Sequence, residues 1–189
     1  MLLGETECGD QYLVKPFPGG VLVAVIDGLG HGPAAALAAK LAVAQLESHA
    51  HESVRWAIER CHESLRPTRG AVMNLASFSK KDRTMTWLGV GNVEGVLLRA
   101  NGRARPAREY LVPCRGVVGG RLWPLNSSTL PIRRGDTLIF ATDGIHSGFA
   151  PDVSPSDPPQ KIADRILAEY GKDTDDALVL VVRYLGGTT

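Results

Sequence analysis

Acidic residues recur in this chain where apolar runs stop or start. Asp10 stands in Gly9-Asp10, just ahead of a strand-like segment, and Asp27 closes the apolar run Val21–Ile26. Asp143 follows the run Thr137–Thr142, and Asp175 and Asp176 come just before the run Ala177–Tyr184. Strand ends can converge at one edge of a sheet system. Carboxylates gathered there would repel one another, and some would take up protons unless a cation joined them. A set of hard oxygen donors without histidine or thiolate suits Mg²⁺ or Mn²⁺ rather than zinc or copper. Asp-Gly is also an ordinary turn dipeptide, so no single aspartate is informative alone; the recurrence and its order are.

Other chemistries find less support. Cys8, Cys61 and Cys114 form no CxxC pair and are odd in number, against a disulfide framework or a cysteine zinc site. None has an arginine six residues on, so no CxxxxxR phosphatase loop exists. Gly28-Leu29-Gly30-His31-Gly32 follows a strand and precedes a helix, but G-x-G-x-x-G needs glycine where Pro33 stands. Asp27 at the mouth of that loop would also repel a pyrophosphate. The net charge of +1 gives no field toward nucleic acid or a membrane. The opening MLLGETECGD lacks the basic and apolar regions of a signal peptide. Val21–Ile26 is far too short to span a bilayer. These features point to a cytoplasmic chain whose sensor or membrane modules, if any, lie on other chains.

The elements that must position the aspartates follow from periodicity. Gln11–Phe17 and Val21–Ile26 read as strands around the turn Pro18-Gly19-Gly20. The second is apolar throughout, which places it mid-sheet with both faces covered. Pro33 opens an alanine-rich helix running to about Ser48, at the position where a missing N–H costs least. A second helix spans about Glu52–Leu65, with Val54, Ala57, Ile58, Cys61 and Leu65 on one face. Ala71–Ser79 and Thr84–Val90 form a hairpin, Val93–Arg99 a further strand, and Asn101-Gly102 a hairpin turn. Prolines break residues 103–135 into short strand-like pieces, and residues 150–159 read as a surface loop. Lys161–Tyr170 reads as a helix with Ile162, Ile166, Leu167 and Tyr170 inward, and Ala177–Tyr184 as a last strand. Segregated runs of strands and helices indicate one α+β domain over residues 1–189, with 44% hydrophobic and 22% charged residues to support its core.

In order, Gly9-Asp10, Val25-Ile26-Asp27-Gly28-Leu29-Gly30-His31-Gly32 with its following alanines, Phe140-Ala141-Thr142-Asp143-Gly144 and Thr174-Asp175-Asp176-Ala177-Leu178-Val179 resemble the successive motifs of the PPM (type 2C) serine/threonine phosphatases. The resemblance is closest to the SpoIIE-like branch and, by the DGLGHG loop and the bare catalytic domain, to its RsbX-type stressosome phosphatases. It runs from residue 9 to about residue 183. It implies a compact β-sandwich of two antiparallel sheets flanked by helices, with two divalent cations, Mn²⁺ or Mg²⁺, at one edge. By resemblance, Asp27 bridges both ions, the Gly28 carbonyl helps hold one, and Asp143 and Asp175 complete the other. Asp10 binds directly or through water, and Asp176 stands behind Asp175. A water shared by two divalent cations is acidic enough to attack phosphorus in line near neutral pH.

The sequence departs from that pattern at Gly91-Asn92-Val93-Glu94, where many members have Gly-Asp-Ser-Arg; asparagine is the poorer cation ligand. No phosphate-binding arginine precedes Asp10. His31 reads as a loop or surface histidine before a proton donor, His146 as structural or at the substrate edge, and His49, His51 and His62 as solvated. Arg99, Arg103, Arg105, Arg108, Arg115, Arg121, Arg133 and Arg134 face one acid, Glu109, in their stretch of chain. That surface suits an acidic phosphoprotein as well as it suits mere solvation. The expected substrate, by resemblance, is a phosphorylated STAS-domain regulatory protein of a stressosome, dephosphorylated to reset stress signalling. The competing expectation is a silent domain of the same fold that binds phosphoprotein without turnover; the presence of every metal aspartate favours activity.

Overall fold

The structure is a computed structural model that describes residues 2, 4–101 and 104–186. Its strands are β1 (Asp10–Phe17), β2 (Gly20–Gly28), β3 (Ala71–Ser79), β4 (Thr84–Val90), β5 (Glu94–Leu98), β6 (Arg108–Tyr110), β7 (Ser128–Pro131), β8 (Thr137–Ala141) and β9 (Val179–Arg183). The helices are α1 (Gly32–Ser48), α2 (Val54–Leu65) and α3 (Pro159–Tyr170), with a 3-10 turn at Ala150–Asp152. Strands pair antiparallel in two sheets, ordered β1-β2-β3-β4-β7 and β6-β5-β8-β9. The α+β two-sheet expectation holds.

Side chains alternate across a strand, and β2 shows why it is apolar on both faces. Val23 and Val25 join Ala76, Phe78, Trp87, Leu97, Leu138 and Phe140 in a layer between the sheets. Leu22, Ala24 and Ile26 face the other way, into a layer with Ala38, Ala39, Ala42 and Leu46 of α1 and Ile58, Cys61 and Leu65 of α2. Sheet two repeats the pattern. Val96, Leu98, Ile139 and Ala141 turn outward onto Ile162, Ile166 and Phe149. The layers therefore run helix, sheet, sheet, helix. Each buried Val, Leu or Ile contributes on the order of 1.5–3 kcal/mol to holding them.

The small residues of α1 let it lie close to β2. A Cβ on Gly28 would stand 2.1 Å from the Ala35 carbonyl oxygen, so the last residue of β2 must be glycine for the helix to sit there. Ser53 caps α2, accepting from the Trp56 N–H at 3.3 Å.

Several local expectations change. Leu167 is 47% exposed rather than inward, because α3 seats only Ile162 and Ile166 fully on the sheet. The 103–135 stretch yields β6 and β7, each of four residues or fewer. Val93 lies before β5 rather than in it. The Asn101-Gly102 turn falls partly outside the described residues. His62 is not simply solvated: its Nδ1 accepts from the Gly119 N–H at 3.0 Å, tying α2 to the loop at 116–120. His49 rests against Trp56 with ring centroids 5.0 Å apart. Among the described residues no helix is long and apolar enough to cross a membrane.

Candidate metal centre

The two sheets each bring acids to the same edge. Asp10 and Asp27 are direct partners in the β1–β2 register. Asp143 follows β8, and Asp175 and Asp176 lead toward β9, its neighbour in the other sheet. Four hydrogen bonds stitch that edge together. The Thr142 hydroxyl donates to Asp10 Oδ2 at 2.7 Å, linking the sheets through buried groups. Thr142 Oγ1 also accepts from the Leu178 N–H at 2.9 Å, fixing the approach to β9. Asp176 accepts from the backbone N–H groups of Gly9 and Leu2, each at 2.6 Å. The backbone at Gly144 leaves no room for a side chain, since a Cβ there would lie 1.9 Å from the Asp176 carbonyl oxygen.

Asp27, Asp143 and Asp175 line one cavity of about 440 Å³ with Asn92, Thr174, His31, Gly30, Gly116 and Val117. Asp10 and Asp176 lie outside this lining, at 4% and 3% exposure. Asp176 is engaged by backbone amides, which is why Asp175 and not Asp176 opens into the cavity. Gly28 donates its N–H to the Gly9 carbonyl at 3.1 Å, and its own carbonyl oxygen lies 3.5 Å from the Cβ position of Gly9.

Electrostatics set these acids apart from ordinary surface carboxylates. Burial pushes the Asp27 carboxyl up to about 8, with Asp10, Asp143, Asp175 and Asp176 adding to the shift. Burial likewise pushes Asp10 up to about 7, against the lowering effect of the Thr142 hydroxyl, and Asp176, Asp143 and Asp175 raise it further. Burial also acts to raise Asp176, but the amides of Gly9 and Leu2 outweigh it and hold that carboxyl below its usual range. A divalent cation among the acids would reverse the upward direction at Asp27 and Asp10.

The donor set fits such a cation in chemistry: carboxylates from two sheets and an asparagine around one open cavity. Among the described residues no three His, Cys, Asp or Glu side chains close on a single point.

Some contacts at this edge carry no signal in the sequence. Asn92, a departure from the family pattern, donates its amide to Asp143 Oδ2 at 2.8 Å. Lys172 Nζ donates to the Asp143 carbonyl at 2.5 Å. The Thr142 tie was findable in principle, as a lone hydroxyl ending an apolar strand. His31 lines the cavity, its Nδ1 2.5 Å from Glu5 Oε1. His146 is exposed just beyond Asp143-Gly144.

The expected basic surface is smaller than its arginine count. Arg99 is paired with Glu109 and, at 2.8 Å, with Asp136. Arg108 donates to the carbonyls of Ala150 and Pro151 at 3.0 and 3.1 Å. The Arg121 guanidinium lies 4.3 Å from the centre of the Trp123 ring. Arg103 lies outside the described residues.

The class to which this fold points, the metal-dependent phosphoprotein phosphatases of the PP2C kind, is the one that comparison with known proteins shows. A family model described as Stage II sporulation protein E (SpoIIE) matches residues 18–185, and the chain belongs to that family. Phosphoserine phosphatase RsbX of Bacillus subtilis (strain 168) is 29% identical over 150 residues, 79% of this chain and 72% of RsbX. A structure from work on the bacterial stressosome, as a modular system adapted to control secondary messenger signalling, is 31% identical with a TM-score of 0.86. It covers 96% of this chain and 94% of its own. The crystal structure of RsbX in complex with magnesium is 26% identical with a TM-score of 0.82, covering 95% of this chain and 88% of its own. The chain is accordingly a phosphoprotein phosphatase.

Proposed function

We propose that residues 1–189 act as one catalytic domain in the cytoplasm, removing phosphate from phosphoserine or phosphothreonine on a STAS-domain regulatory protein of a stressosome and so resetting stress signalling. The assigned cofactor is a pair of divalent cations, Mn²⁺ or Mg²⁺. Asp27, Asp143 and Asp175 would hold them from the cavity wall, with the Gly28 carbonyl and Asp10 contributing and Asp176 fixing the backbone behind Asp175. Held there, the cations would supply an activated water and neutralise charge on the phosphoryl oxygens.

This chain's own groups do the rest. Thr142 keeps Asp10 oriented from the opposite sheet. Asn92 holds one oxygen of Asp143, leaving the other for the cavity. Glu5 engages Nδ1 of His31 and so holds the imidazole at the cavity wall. The observation that carries the reading is the meeting of Asp27, from one sheet, with Asp143 and Asp175, from the other, on one cavity. The RsbX relative, named a phosphoserine phosphatase, and the stressosome structure support the choice of substrate.

Two assays test it. Mn²⁺-dependent hydrolysis of p-nitrophenyl phosphate should be present in the wild type and lost in Asp27→Ala and Asp143→Ala. Incubation with phosphorylated candidate STAS proteins, read by mass spectrometry, should show loss of a defined phosphosite. Pure, metal-loaded wild type that turns over neither substrate would be a phosphoprotein-binding module instead.

A further inference from the structure

The cavity wall carries three carboxylates, an imidazole and an amide side chain, but no ammonium or guanidinium group among the described residues. A phosphate monoester arrives there as a dianion with oxygens that must be gripped as well as attacked. A guanidinium beside that wall, on the Gly30 side, belongs to Arg69. Its Nη1 lies 2.8 Å from the position a Cβ on Gly30 would take, and Gly30 lines the cavity.

The segment bearing Arg69 is anchored on both sides to cavity-lining chain. The next residue, Gly70, accepts from the Leu29 N–H at 3.0 Å, which ties it to the loop after Asp27. On its other side Gly70 abuts Val117, whose Cγ1 lies 2.7 Å from the glycine's Cβ position, and Val117 lines the cavity too. Ala71 and Val118 exchange both backbone hydrogen bonds at 2.9 Å, completing the anchor.

Arg69 is exposed, and its guanidinium makes no hydrogen bond or ion pair with any described residue. Three other cations of this region are already engaged, Lys172 with the Asp143 carbonyl, Arg66 with Glu63 and Arg121 with the Trp123 ring, which leaves the exposed Arg115, next to Gly116 of the wall, as the rival. A free planar fork of N–H donors matches two oxygens of a phosphoryl group as an ammonium does not.

We propose that Arg69 is the phosphoryl-binding residue of this chain, gripping the non-reacting oxygens of the phosphoserine or phosphothreonine dianion and then the inorganic phosphate product. The inference rests on the phosphatase reading above. It supplies, from the α2–β3 connection, the cation that the sequence before Asp10 lacks.

The test is calorimetric titration of inorganic phosphate into Mn²⁺-loaded wild type, Arg69→Ala, Arg69→Lys and Arg115→Ala, with p-nitrophenyl phosphate kinetics beside it. Arg69→Ala should weaken phosphate binding and raise KM about tenfold or more, the loss expected for a charge-assisted contact. Its Mn²⁺ affinity and melting temperature should match the wild type. Arg69→Lys should recover part of the loss, and Arg115→Ala should show none. Unchanged phosphate affinity in Arg69→Ala overturns the proposal. So does a loss confined to the KM for a phosphoprotein, or a loss that follows Arg115 instead. Wild type without Mn²⁺-dependent turnover contradicts the phosphatase reading itself, and the phosphate titration still decides Arg69.

Discussion

The side-chain amide of Asn92 donates to the Oδ2 of Asp143 across 51 positions of sequence, at 2.8 Å. A neutral donor thus stands against this acid. It ties down one oxygen of Asp143 without adding charge to a wall that already holds three carboxylates. Asn92→Asp should therefore destabilise the metal-free protein, by about 1 kcal/mol for a lost hydrogen bond plus like-charge repulsion. It should also enlarge the stabilisation by Mn²⁺. Melting temperatures in chelator and in Mn²⁺, for both proteins, would show the two changes. Equal melting of the chelated proteins would mean that the contact does not matter.

Thr142→Val keeps the shape of the side chain and removes the O–H that Asp10 accepts. A buried carboxylate left without its donor costs roughly 1–3 kcal/mol. The same change strips the acceptor for the Leu178 N–H, so the entry to β9 should loosen as well. Urea unfolding at neutral pH measures the loss, and hydrogen exchange at Leu178 should rise. Thr142→Ser should retain most of the stability.

Two carboxyls of the metal-free protein titrate far above their ordinary range, Asp10 at about 7 and Asp27 at about 8. Between the ordinary carboxylate pKa and those values the folded state holds more protons than the unfolded chain. Stability contributed by these groups must then fall as pH rises through 7 and 8. Asp176, lowered by two backbone amides, has the opposite sign, and its contribution is lost only at acid pH. Metal-free protein should unfold more easily at pH 8.5 than at pH 5.5, and saturating Mn²⁺ should abolish or invert that slope. A metal-free stability that rises steadily across this range would contradict it.

Gly144→Ala places a Cβ 1.9 Å from the Asp176 carbonyl oxygen. The backbone carrying Asp175 and Asp176 must shift. Overpacking of this kind costs about 1–3 kcal/mol. Because the shift falls on Asp175, Mn²⁺ affinity should drop together with stability. An exposed glycine with open space around it, Gly148, serves as the control; Gly148→Ala has a positive φ to contend with but no neighbour to displace, and should leave Mn²⁺ affinity unchanged.

Much of this architecture was readable because burial imposes a period. The unbroken apolar run of β2 announced a strand covered on both faces, and its odd and even residues do divide between the sheet and helix layers. Val54, Ala57, Ile58, Cys61 and Leu65 marked the buried face of α2 correctly. Periodicity fails where elements are too short to show one, as in β6 and β7. It also failed at Leu167, because a helix seated on the sheet mainly through Ile162 and Ile166 buries a narrower stripe than its apolar residues suggest. The aspartates were visible as strand-end acids. Their partners were not: Asn92 with Asp143 and Thr142 with Asp10 are separated by 51 and 132 positions, and only the folded register joins them. Arg99 looked like free surface charge until Asp136, beyond the basic stretch, turned out to hold it.

Anomalous diffraction from crystals grown with Mn²⁺ tests the proposed centre most directly. Manganese peaks should appear in the cavity between the sheets' ends, with oxygens of Asp27, Asp143 and Asp175 at roughly 2.0–2.2 Å, the bond length of a small hard cation. Peaks confined to other acids on the surface, or a cavity that stays free of manganese at saturating concentration, would contradict the account.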